Sequence, residues 1–305
     1  MTRRFRVVAG PNGSGKTTLM RRLAADYAVN FYSVVNADDI LAEIARTGGY
    51  SPRIPIDGAA LRDFAMASSY PNEVKRLFAD GAVFVDADCV RFAPGAAGSY
   101  SAALLANFVA AEHVRQGVSF SQETAFSHPS KIDALAAARE AGFRTYLYFV
   151  ATDSPDVNVA RVGNRVRLAG HPVPPEKIVS RYAKSIENAA AALPYLSRAF
   201  FFDNSAEEMR YIGEWNAEGG FAANGDAAAP RWFGALAEAM SGKKAGTPEA
   251  DEDEVATSRL AQSAAEASRE AVARAFAAGL SVTVAREGKV IELSPDGTER
   301  VVKTI

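Results

Sequence analysis

The sequence predicts an α/β protein in which a parallel β-sheet is flanked by helices. Short apolar runs such as Phe5–Ala9, Thr145–Val150 and Ala199–Phe202 alternate along the chain with segments of helical periodicity. Several of these runs are apolar on both faces, which is typical of strands buried inside a parallel sheet. The runs end in polar clusters, and functional groups collect at the carboxyl ends of the strands in such sheets. We therefore expect the functional site at that edge.

The strongest local signal is the segment Gly10–Thr17, which has the sequence Gly-Pro-Asn-Gly-Ser-Gly-Lys-Thr. It fits the pattern G-x-x-x-x-G-K-[ST], with a strand before it and a helix after it. Backbone N–H groups of such a loop hold phosphate oxygens, the lysine reaches the β- and γ-phosphates, and the threonine hydroxyl holds Mg²⁺. The sequence thus predicts a P-loop NTPase-type sheet that binds ATP or GTP with Mg²⁺. The expected nucleotide-binding residues are Gly10, Pro11, Asn12, Gly13, Ser14, Gly15, Lys16, Thr17 and Thr18.

Composition argues against several other classes of function. The net charge is −2 and the basic residues form no tract, so we expect no nucleic-acid partner. The single cysteine, Cys89, excludes an internal disulfide framework, and the three histidines are too far apart in sequence to suggest a metal cluster. No secretory signal pattern follows Met1, and no run approaches the ~20 apolar residues that span a bilayer. We expect a soluble, cytoplasmic protein without membrane contact.

The first half of the chain contains an irregular segment. Ser33–Val35 is predicted to be a second short strand, and a helix follows it through Ile40 and Ile44. From residue 46 to 98 the sequence is rich in glycine and proline, and we interpret it as an insertion that builds a substrate-side lobe. Within it we predict one helical piece at Leu61–Phe78 and a short apolar run at Ala82–Val85.

Regular alternation resumes after the insertion. The predicted elements are a helix at Tyr100–Gln116, a strand at Val118–Ser121, a helix at Ser130–Ala141, a strand at Thr145–Val150, helices at Ser154–Leu168 and Pro175–Ala192, and a strand at Ala199–Phe202. The looser segment Tyr211–Met240 fits a hairpin and a helix that close one edge of the domain. We assign residues 1–240 to a kinase-type domain, 241–254 to an acidic linker, and 255–305 to a small module of one helix and a β-meander.

Phosphoryl transfer to a hydroxyl group requires a proton acceptor, and strand-end carboxylates are the natural candidates. Asp38 follows the second strand and is our first candidate for the base, while Asp39 is interpreted as a helix-start residue. The structural alternative is that Asp38 only caps the helix. Asp86 and Asp88 are the second candidates, because Val-Asp-Ala-Asp repeats the pattern of Val-Asn-Ala-Asp at 35–38.

Glu123 ends another predicted strand, where it can hold Mg²⁺ through water or accept a hydrogen bond from the acceptor hydroxyl; alternatively it caps the next helix. Lys131 lies close behind it, and His128 is either part of the same cleft or an inert surface histidine. We assign metal binding to Thr17 and Glu123. We assign acceptor binding to Asp38, Glu123, Thr124, Ser127 and His128.

Four arginines, Arg161, Arg165, Arg167 and Arg181, surround the segment Gly170–Pro174. Arg161 and Arg165 are four residues apart on one helix face, so they can point at one anion. Planar guanidinium groups suit the oxygens of a γ-phosphate. We interpret residues 161–181 as a mobile lid and expect Lys16, Asp38, Arg165 and Arg167 to be catalytic. The alternative is that the arginines are solvated surface residues.

The motifs together resemble the zeta-toxin-like P-loop kinases of bacteria over roughly the first 205 residues. The segments that carry the resemblance are Ala9–Leu19, Val35–Ile40, Phe120–Thr124, Ser127–Ile132, Asn164–Arg167, Gly170–Pro174 and Arg198–Ser205. The resemblance implies the toxin of a toxin–antitoxin pair, which transfers the γ-phosphate of ATP or GTP to a UDP-N-acetyl-amino sugar, usually at the 3′-hydroxyl. It also implies that Asp38 is the base, that Glu123 to His128 line the acceptor side, and that Arg165 and Arg167 are lid arginines.

Two departures from the family pattern concern the acceptor. Asn107 stands where the archetypal enzyme has an acid that holds the sugar nucleotide, and the insertion reshapes the acceptor pocket. Related kinases phosphorylate dinucleotides, so a substrate such as NAD is an alternative. A nucleotide-dependent switch without an acceptor, and an assembly protein with a vestigial site, are further alternatives.

The tail from Val255 resembles small antitoxin-like proteins found beside such kinases. The resemblance implies an antitoxin-like module that blocks the kinase in cis or in trans. A module for oligomerisation, or an inert docked appendage, is the alternative.

Overall fold

In the computed structural model, the described residues are 2–167, 173–224, 229–240, 276–277, 281–286 and 289–304. They form two compact units. The first unit consists of Met1–Val7, Phe31–Thr124 and Asp133–Thr145. The second unit consists of Val8–Asn30, Ala125–Ile132 and Tyr146–Ile305.

The described strands and helices alternate through the main part of the chain. The strands are β1 (Arg4–Ala9), β2 (Ser33–Val35), β3 (Gly49–Tyr50), β4 (Val83–Asp86), β5 (Cys89–Phe92), β6 (Phe120–Thr124), β7 (Arg144–Ala151), β8 (Arg198–Asp203), β9 (Arg210–Asn216), β10 (Gly220–Ala223), β11 (Val282–Arg286), β12 (Lys289–Leu293) and β13 (Glu299–Thr304). The helices are α1 (Lys16–Tyr27), α2 (Ala37–Thr47), α3 (Gly58–Ala67), α4 (Asn72–Ala79), α5 (Ser99–Gln116), α6 (Ser130–Glu140), α7 (Pro155–Arg167), α8 (Pro175–Ala192) and α9 (Gly234–Met240). The main sheet has seven strands in the order β10-β9-β8-β7-β1-β6-β2 and is mostly parallel. This arrangement confirms the predicted α/β class with a P-loop NTPase-type sheet.

In the first unit, β2 and β6 are parallel neighbours, and Val35 is paired with Gln122. Phe5 of β1 stacks on Phe120 of β6 with ring centroids 4.2 Å apart, and neither ring is exposed to solvent. Burial of such large aromatic side chains holds the strands in this register. The register brings the residues that follow Val35 alongside Glu123 at the carboxyl edge.

The insertion folds as a small antiparallel sheet, in the order β3-β5-β4, with helices α3 and α4. The prediction of one helical piece over Leu61–Phe78 is therefore wrong, because α3 ends at Ala67 and α4 begins at Asn72. Pro71 occupies the N-cap position of α4. Proline has no N–H and disfavours a helical conformation in the residue before it, so one helix cannot run through this position.

In the second unit, β7 and β8 are parallel and almost entirely buried. Strand β9 is antiparallel to β8, and β9 and β10 form a hairpin at the edge of the sheet. The indole of Trp232 packs against Phe149 with ring centroids 5.7 Å apart, just before α9. The predicted edge hairpin and following helix are confirmed.

Strands β11, β12 and β13 form a separate antiparallel sheet, as the predicted meander requires. The linker 241–254, and the predicted tail helix apart from residues 276–277, lie outside the described residues. The domain boundaries at residues 240 and 254 therefore stay predictions.

The longest described helices, α5 and α8, have 18 residues each. Within the described part of the chain, no helix is both long enough and apolar enough to cross a bilayer.

Candidate phosphate-binding site

The loop between β1 and α1 lies in the second unit and approaches neighbouring backbone very closely. A Cβ atom built on Gly10 would lie 1.9 Å from the carbonyl oxygen of Val150, so only glycine fits there. Gly13 has φ +81°, and its Cβ would lie 2.8 Å from the carbonyl oxygen of Asn158. A backbone conformation that L-residues rarely adopt, combined with close packing, explains the glycines of the motif.

Lys16 is the first residue of α1, and its ammonium group bends back over the loop. Its Nζ donates a hydrogen bond to the carbonyl oxygen of Pro11 at 3.1 Å. No side chain caps α1, because Gly15 occupies the N-cap position, and its first turn contains no acidic residue. Among the described residues, the positive dipole end of α1 thus has neither a capping side chain nor an acidic residue in its first turn.

Two buried polar atoms of the loop fit a phosphate-binding role. The side-chain oxygens of Asn12 (Oδ1) and Ser14 (Oγ) are buried and have no hydrogen-bond partner among the described residues. Buried polar atoms are normally paired, and an orphan often marks a place for water, an ion or a ligand. The hydroxyl-bearing Thr17 and Thr18 are exposed. The residues present thus suit a polyphosphate with Mg²⁺.

Two asparagines that the sequence analysis did not assign to the site hold the loop from outside. Asn158 Nδ2 donates to the carbonyl oxygen of Asn12 at 2.7 Å, and Asn204 Nδ2 donates to that of Ser14 at 2.8 Å. Asn204 belongs to the polar cluster Asp203–Ser205 at the end of β8, and such a strand-end cluster is a sequence pattern that indicates candidate site residues. No comparable pattern indicates Asn158, because a single polar residue within a helix is usually solvated.

Asp38 lies in the first unit, at the second position of α2, and is exposed. The N-cap of α2 is Asn36, whose Oδ1 accepts the backbone N–H of Asp38 at 2.9 Å. The structural alternative for Asp38 is therefore wrong: its carboxylate is not the cap. Asp39 follows it in the first turn, as expected.

Glu123 and Thr124 end β6 in the first unit, and both are partly exposed. The β2–β6 register places Asn36, the residue after Val35, beside Glu123 at the carboxyl edge. Neighbouring strands are about 4.8 Å apart, so this edge of the first unit brings the predicted base and Glu123 into one region.

Ser127 and His128 lie in the second unit, in the loop before α6. The backbone N–H of Ser130 donates to His128 Nδ1 at 3.2 Å, so the neutral imidazole carries its proton on Nε2. His128 itself is exposed. Burial lowers the pKa of Lys131 from 10.5 to about 8. The amino group of Lys131 therefore loses part of its charge at mildly alkaline pH.

Asp86 and Asp88 lie on the β4–β5 hairpin of the insertion. Asp86 is ion-paired with Arg91 at 3.8 Å, and both aspartates are exposed. They belong to an antiparallel hairpin turn, whereas Asp38 follows a strand of the main sheet.

Of the three arginines of α7, Arg161 is bonded to backbone, whereas Arg165 and Arg167 are exposed. Arg161 donates to the carbonyl oxygens of Asn204 at 2.7 Å and Ala206 at 3.3 Å, so its guanidinium holds backbone. Arg165 and Arg167 are exposed near the end of the helix, and Arg167 donates to Asn164 Oδ1 at 2.7 Å. Residues 168–172 of the predicted lid lie outside the described residues, and Arg181 is on α8.

A glycine-rich loop between a buried strand and a helix N-terminus, in a mostly parallel sheet, is the arrangement of P-loop NTPases. Comparison with solved structures finds similar chains. A candidate kinase from Chloroflexus aurantiacus J-10-fl shares 18% identity over 59% of this chain and 77% of its own, with a TM-score of 0.34.

Two further solved structures are also similar. A structure from the PezAT chromosomal toxin–antitoxin system of Streptococcus pneumoniae shares 9% identity over 87% of both chains, with a TM-score of 0.42. The AvrRxo1-ORF1:ORF2 complex with ATP shares 15% identity over 86% of this chain and 76% of its own, with a TM-score of 0.43. No protein-family model matches the chain, and no curated protein matches its sequence.

Proposed function

We propose that this protein is a kinase that transfers the γ-phosphate of ATP or GTP to a hydroxyl group of a small metabolite. The observation that carries the proposal is the loop of residues 10–17, in which unpartnered buried oxygens, an uncapped helix N-terminus and Lys16 occur together. Each of these features suits a polyphosphate, and a structural turn requires none of them.

Lys16 binds the β- and γ-phosphates, and its hydrogen bond to Pro11 gives way to the phosphate oxygens when nucleotide binds. The Thr17 hydroxyl would hold Mg²⁺, and Glu123 is the second residue proposed to hold it. When bound, Mg²⁺ neutralises the charge that develops on the phosphate oxygens. Arg165 and Arg167 contribute further positive charge to the transferred group.

Asp38 is the proposed general base. Its carboxylate takes the proton of the acceptor hydroxyl, the hydroxyl oxygen forms a bond to the γ-phosphorus, and the bond to the β–γ bridging oxygen breaks to release the nucleoside diphosphate. Its carboxylate is not used as a helix cap, because Asn36 has that role. Thr124, Ser127 and His128 are proposed to contact the acceptor together with Glu123.

The first acceptor to test is the 3′-hydroxyl of UDP-N-acetylglucosamine, and NAD is the second. Asn107, which replaces the acid of the archetypal family, donates a hydrogen bond to the hydroxyl of Tyr70 in the insertion at 3.0 Å. Burial raises the pKa of Tyr70 to about 12, so its phenol stays neutral.

The test is mass spectrometry of a full metabolite extract, and separately of UDP-N-acetylglucosamine and NAD, after incubation with MgATP or MgGTP. It is made both with the intact protein and with the protein after cleavage within residues 241–254 and removal of residues 255–305. We expect one acceptor to gain a phosphoryl group, and Lys16→Ala to abolish the product. Slow hydrolysis of nucleotide with no phosphorylated acceptor would contradict the kinase proposal and favour a nucleotide-dependent switch. Absence of nucleotide binding would contradict both.

We further propose that residues 255–305 restrain the kinase as an antitoxin-like module, in cis or in trans. The described part of this module is the three-stranded β11–β13 sheet. The support is the sequence resemblance, together with the acidic, apolar-poor sequence of residues 241–254, which predicts a linker.

A further inference from the structure

Two carbonyl groups of the phosphate loop accept hydrogen bonds from side-chain amides that lie outside it. The carbonyl of Asn12 accepts from Asn158 at 2.7 Å, and that of Ser14 accepts from Asn204 at 2.8 Å. The side chain of Asn158 is fully buried. The two bonded carbonyls alternate along the loop, each preceding a glycine.

Hydrogen bonds to neighbouring groups hold both asparagines in place. The carbonyl oxygen of Asn12 can only accept, so Asn158 presents Nδ2 to the loop, and its Oδ1 lies within hydrogen-bond distance of the Thr152 hydroxyl. The backbone N–H of Asn204 donates to the carbonyl oxygen of Ala151 at 2.8 Å, and its carbonyl accepts from Arg161 at 2.7 Å. Both asparagines are therefore held in place by groups that do not belong to the loop.

The direction of a carbonyl determines the direction of the next N–H, because the two point to opposite sides of a planar trans peptide. No cis peptide occurs among the described residues. Holding the Asn12 carbonyl toward Asn158 turns the N–H of Gly13 the other way. In the same manner, holding the Ser14 carbonyl toward Asn204 turns the N–H of Gly15 the other way. The carbonyl of Pro11 instead faces the loop, where it accepts from Ser14 N and Lys16 Nζ, each at 3.1 Å.

We propose that Asn158 and Asn204 are positioning residues for nucleotide binding: Asn158 aims the N–H of Gly13, and Asn204 aims the N–H of Gly15, at the polyphosphate. The inference rests on the proposed function, because it requires a nucleotide in this loop. The inference also gives Arg161 a positioning role, since its guanidinium donates a hydrogen bond to the backbone carbonyl of Asn204.

The test uses the full-length protein with Asn158→Asp and Asn204→Asp, since a carboxylate has the same shape but cannot donate to a carbonyl. Asn224→Asp is the matched control, because Asn224 Nδ2 also donates to a backbone carbonyl, that of Tyr211 at 3.1 Å, in the edge hairpin. Glycines are labelled with ¹⁵N, and the carbonyl carbon of asparagine or serine is labelled, which selects the Asn-Gly pairs 12–13 and 224–225 and the Ser-Gly pairs 14–15 and 241–242. Asn224→Asp removes the second Asn-Gly signal and Ser241→Ala removes the second Ser-Gly signal, which assigns the signals of Gly13 and Gly15. NMR spectra are recorded with and without MgATP.

We expect MgATP to shift the amide protons of Gly13 and Gly15 downfield in the wild type and in Asn224→Asp. Asn158→Asp should lose the shift of Gly13 and keep that of Gly15, Asn204→Asp should do the reverse, and each should bind MgATP about tenfold more weakly. If the aspartates prevent folding, Asn158→Ala and Asn204→Ala replace them with the same expected pattern.

Variants that keep both glycine shifts and wild-type affinity would overturn the inference, even if their melting temperatures fall, since that result describes a purely structural role. If the wild type binds none of MgATP, MgGTP or inorganic tripolyphosphate, the proposed function fails and the inference fails with it. Binding by the wild type with unchanged variants overturns the inference alone.

Discussion

The side-chain amide of Asn204 donates a hydrogen bond to the carbonyl oxygen of Ser14 at 2.8 Å, which ties the end of β8 to the phosphate loop. The residues on either side of Asn204 secure the same strand end. Asp203 Oδ1 accepts from Trp232 Nε1 at 3.0 Å, and Ser205 Oγ accepts from the backbone N–H of Asp153 at 2.9 Å. The sequence Asp-Asn-Ser thus acts as a structural junction beside the loop, and Asn204 is the member that contacts it.

The geometry of the loop predicts that replacing Gly13 by alanine destabilises the protein more than replacing Gly48 by alanine. Gly13 and Gly48 have nearly the same φ, +81° and +74°, but a Cβ on Gly13 would lie 2.8 Å from Asn158 O, whereas one on Gly48 meets nothing within 4 Å. Gly48→Ala should lower the free energy of unfolding by about 1 kcal/mol, the cost of the left-handed conformation. Gly13→Ala should cost about 1–3 kcal/mol more and weaken MgATP binding. Urea denaturation measures the free energy of unfolding of each variant, and calorimetric titration measures its affinity for MgATP. Equal destabilisation by Gly13→Ala and Gly48→Ala would contradict the close packing of the loop.

The proposed role of Asp38 as the general base can be tested by comparing substitutions of Asp38 and of its neighbour Asp39. Both Asp38 and Asp39 are exposed acids in the first turn of α2, so Asp39→Asn is a matched control. Loss of a general base lowers turnover by about 100-fold or more, so Asp38→Asn should do so while MgATP affinity is retained. The readout is the rate of acceptor phosphorylation beside the nucleotide dissociation constant. Similar rates in the two variants would remove Asp38 from the mechanism.

His113 predicts a pH dependence of stability in the first unit. Burial lowers its pKa below the usual 6.5, its Nδ1 donates to the carbonyl oxygen of Val109 at 2.8 Å, and its Nε2 is buried without a hydrogen-bond partner among the described residues. The unfolded chain therefore binds a proton at higher pH than the folded chain. The contribution of His113 to stability is complete above about pH 6.5 and is lost as the pH falls below it.

His113→Phe should remove this part of the pH dependence, since the ring at this position packs on Phe120 with centroids 4.8 Å apart and phenylalanine does not titrate. The measurement is the free energy of unfolding in urea at about pH 7.5 and pH 5.5 for both proteins. An unchanged difference between the two pH values would show that His113 does not titrate in this way.

The proposed restraint by residues 255–305 can be tested by cutting the chain without removing any part of it. A protease site is introduced within the linker 241–254, and activity is measured before and after cleavage in the same tube. If the module acts in cis, cleavage followed by dilution should raise the rate of phosphorylation, because tethering at high effective concentration is lost. The same protein without the protease site is the control. A rate that is unchanged at every dilution would argue against restraint in cis.

Much of the fold could be predicted because its signals are local. Doubly apolar strands, polar strand ends and the Gly10–Thr17 pattern each occupy a few consecutive residues, and together they predicted the P-loop NTPase-type sheet. The signal for the break between α3 and α4 was also local, because it is Pro71 at the N-cap of α4. The prediction of one helix was wrong because it did not give enough weight to the helix-breaking effect of this proline. The identity of the α2 cap depended on a shift of two positions along the chain, from Asp38 to Asn36.

By itself, the sequence determined the phosphate loop, the alternation of strands and helices outside residues 46–98 up to the end of β8, and the residues proposed to act on phosphate and acceptor. The tertiary structure alone decided what holds the loop in shape. Asn158 and Asn204 contact residues 146 and 190 positions away, and Arg161 supports backbone 43 positions away. Such bonds depend on which strand ends meet in the folded sheet. No periodicity or spacing in the chain encodes that meeting, because a hydrogen bond from an amide to a distant carbonyl leaves no pattern in the residues around either group.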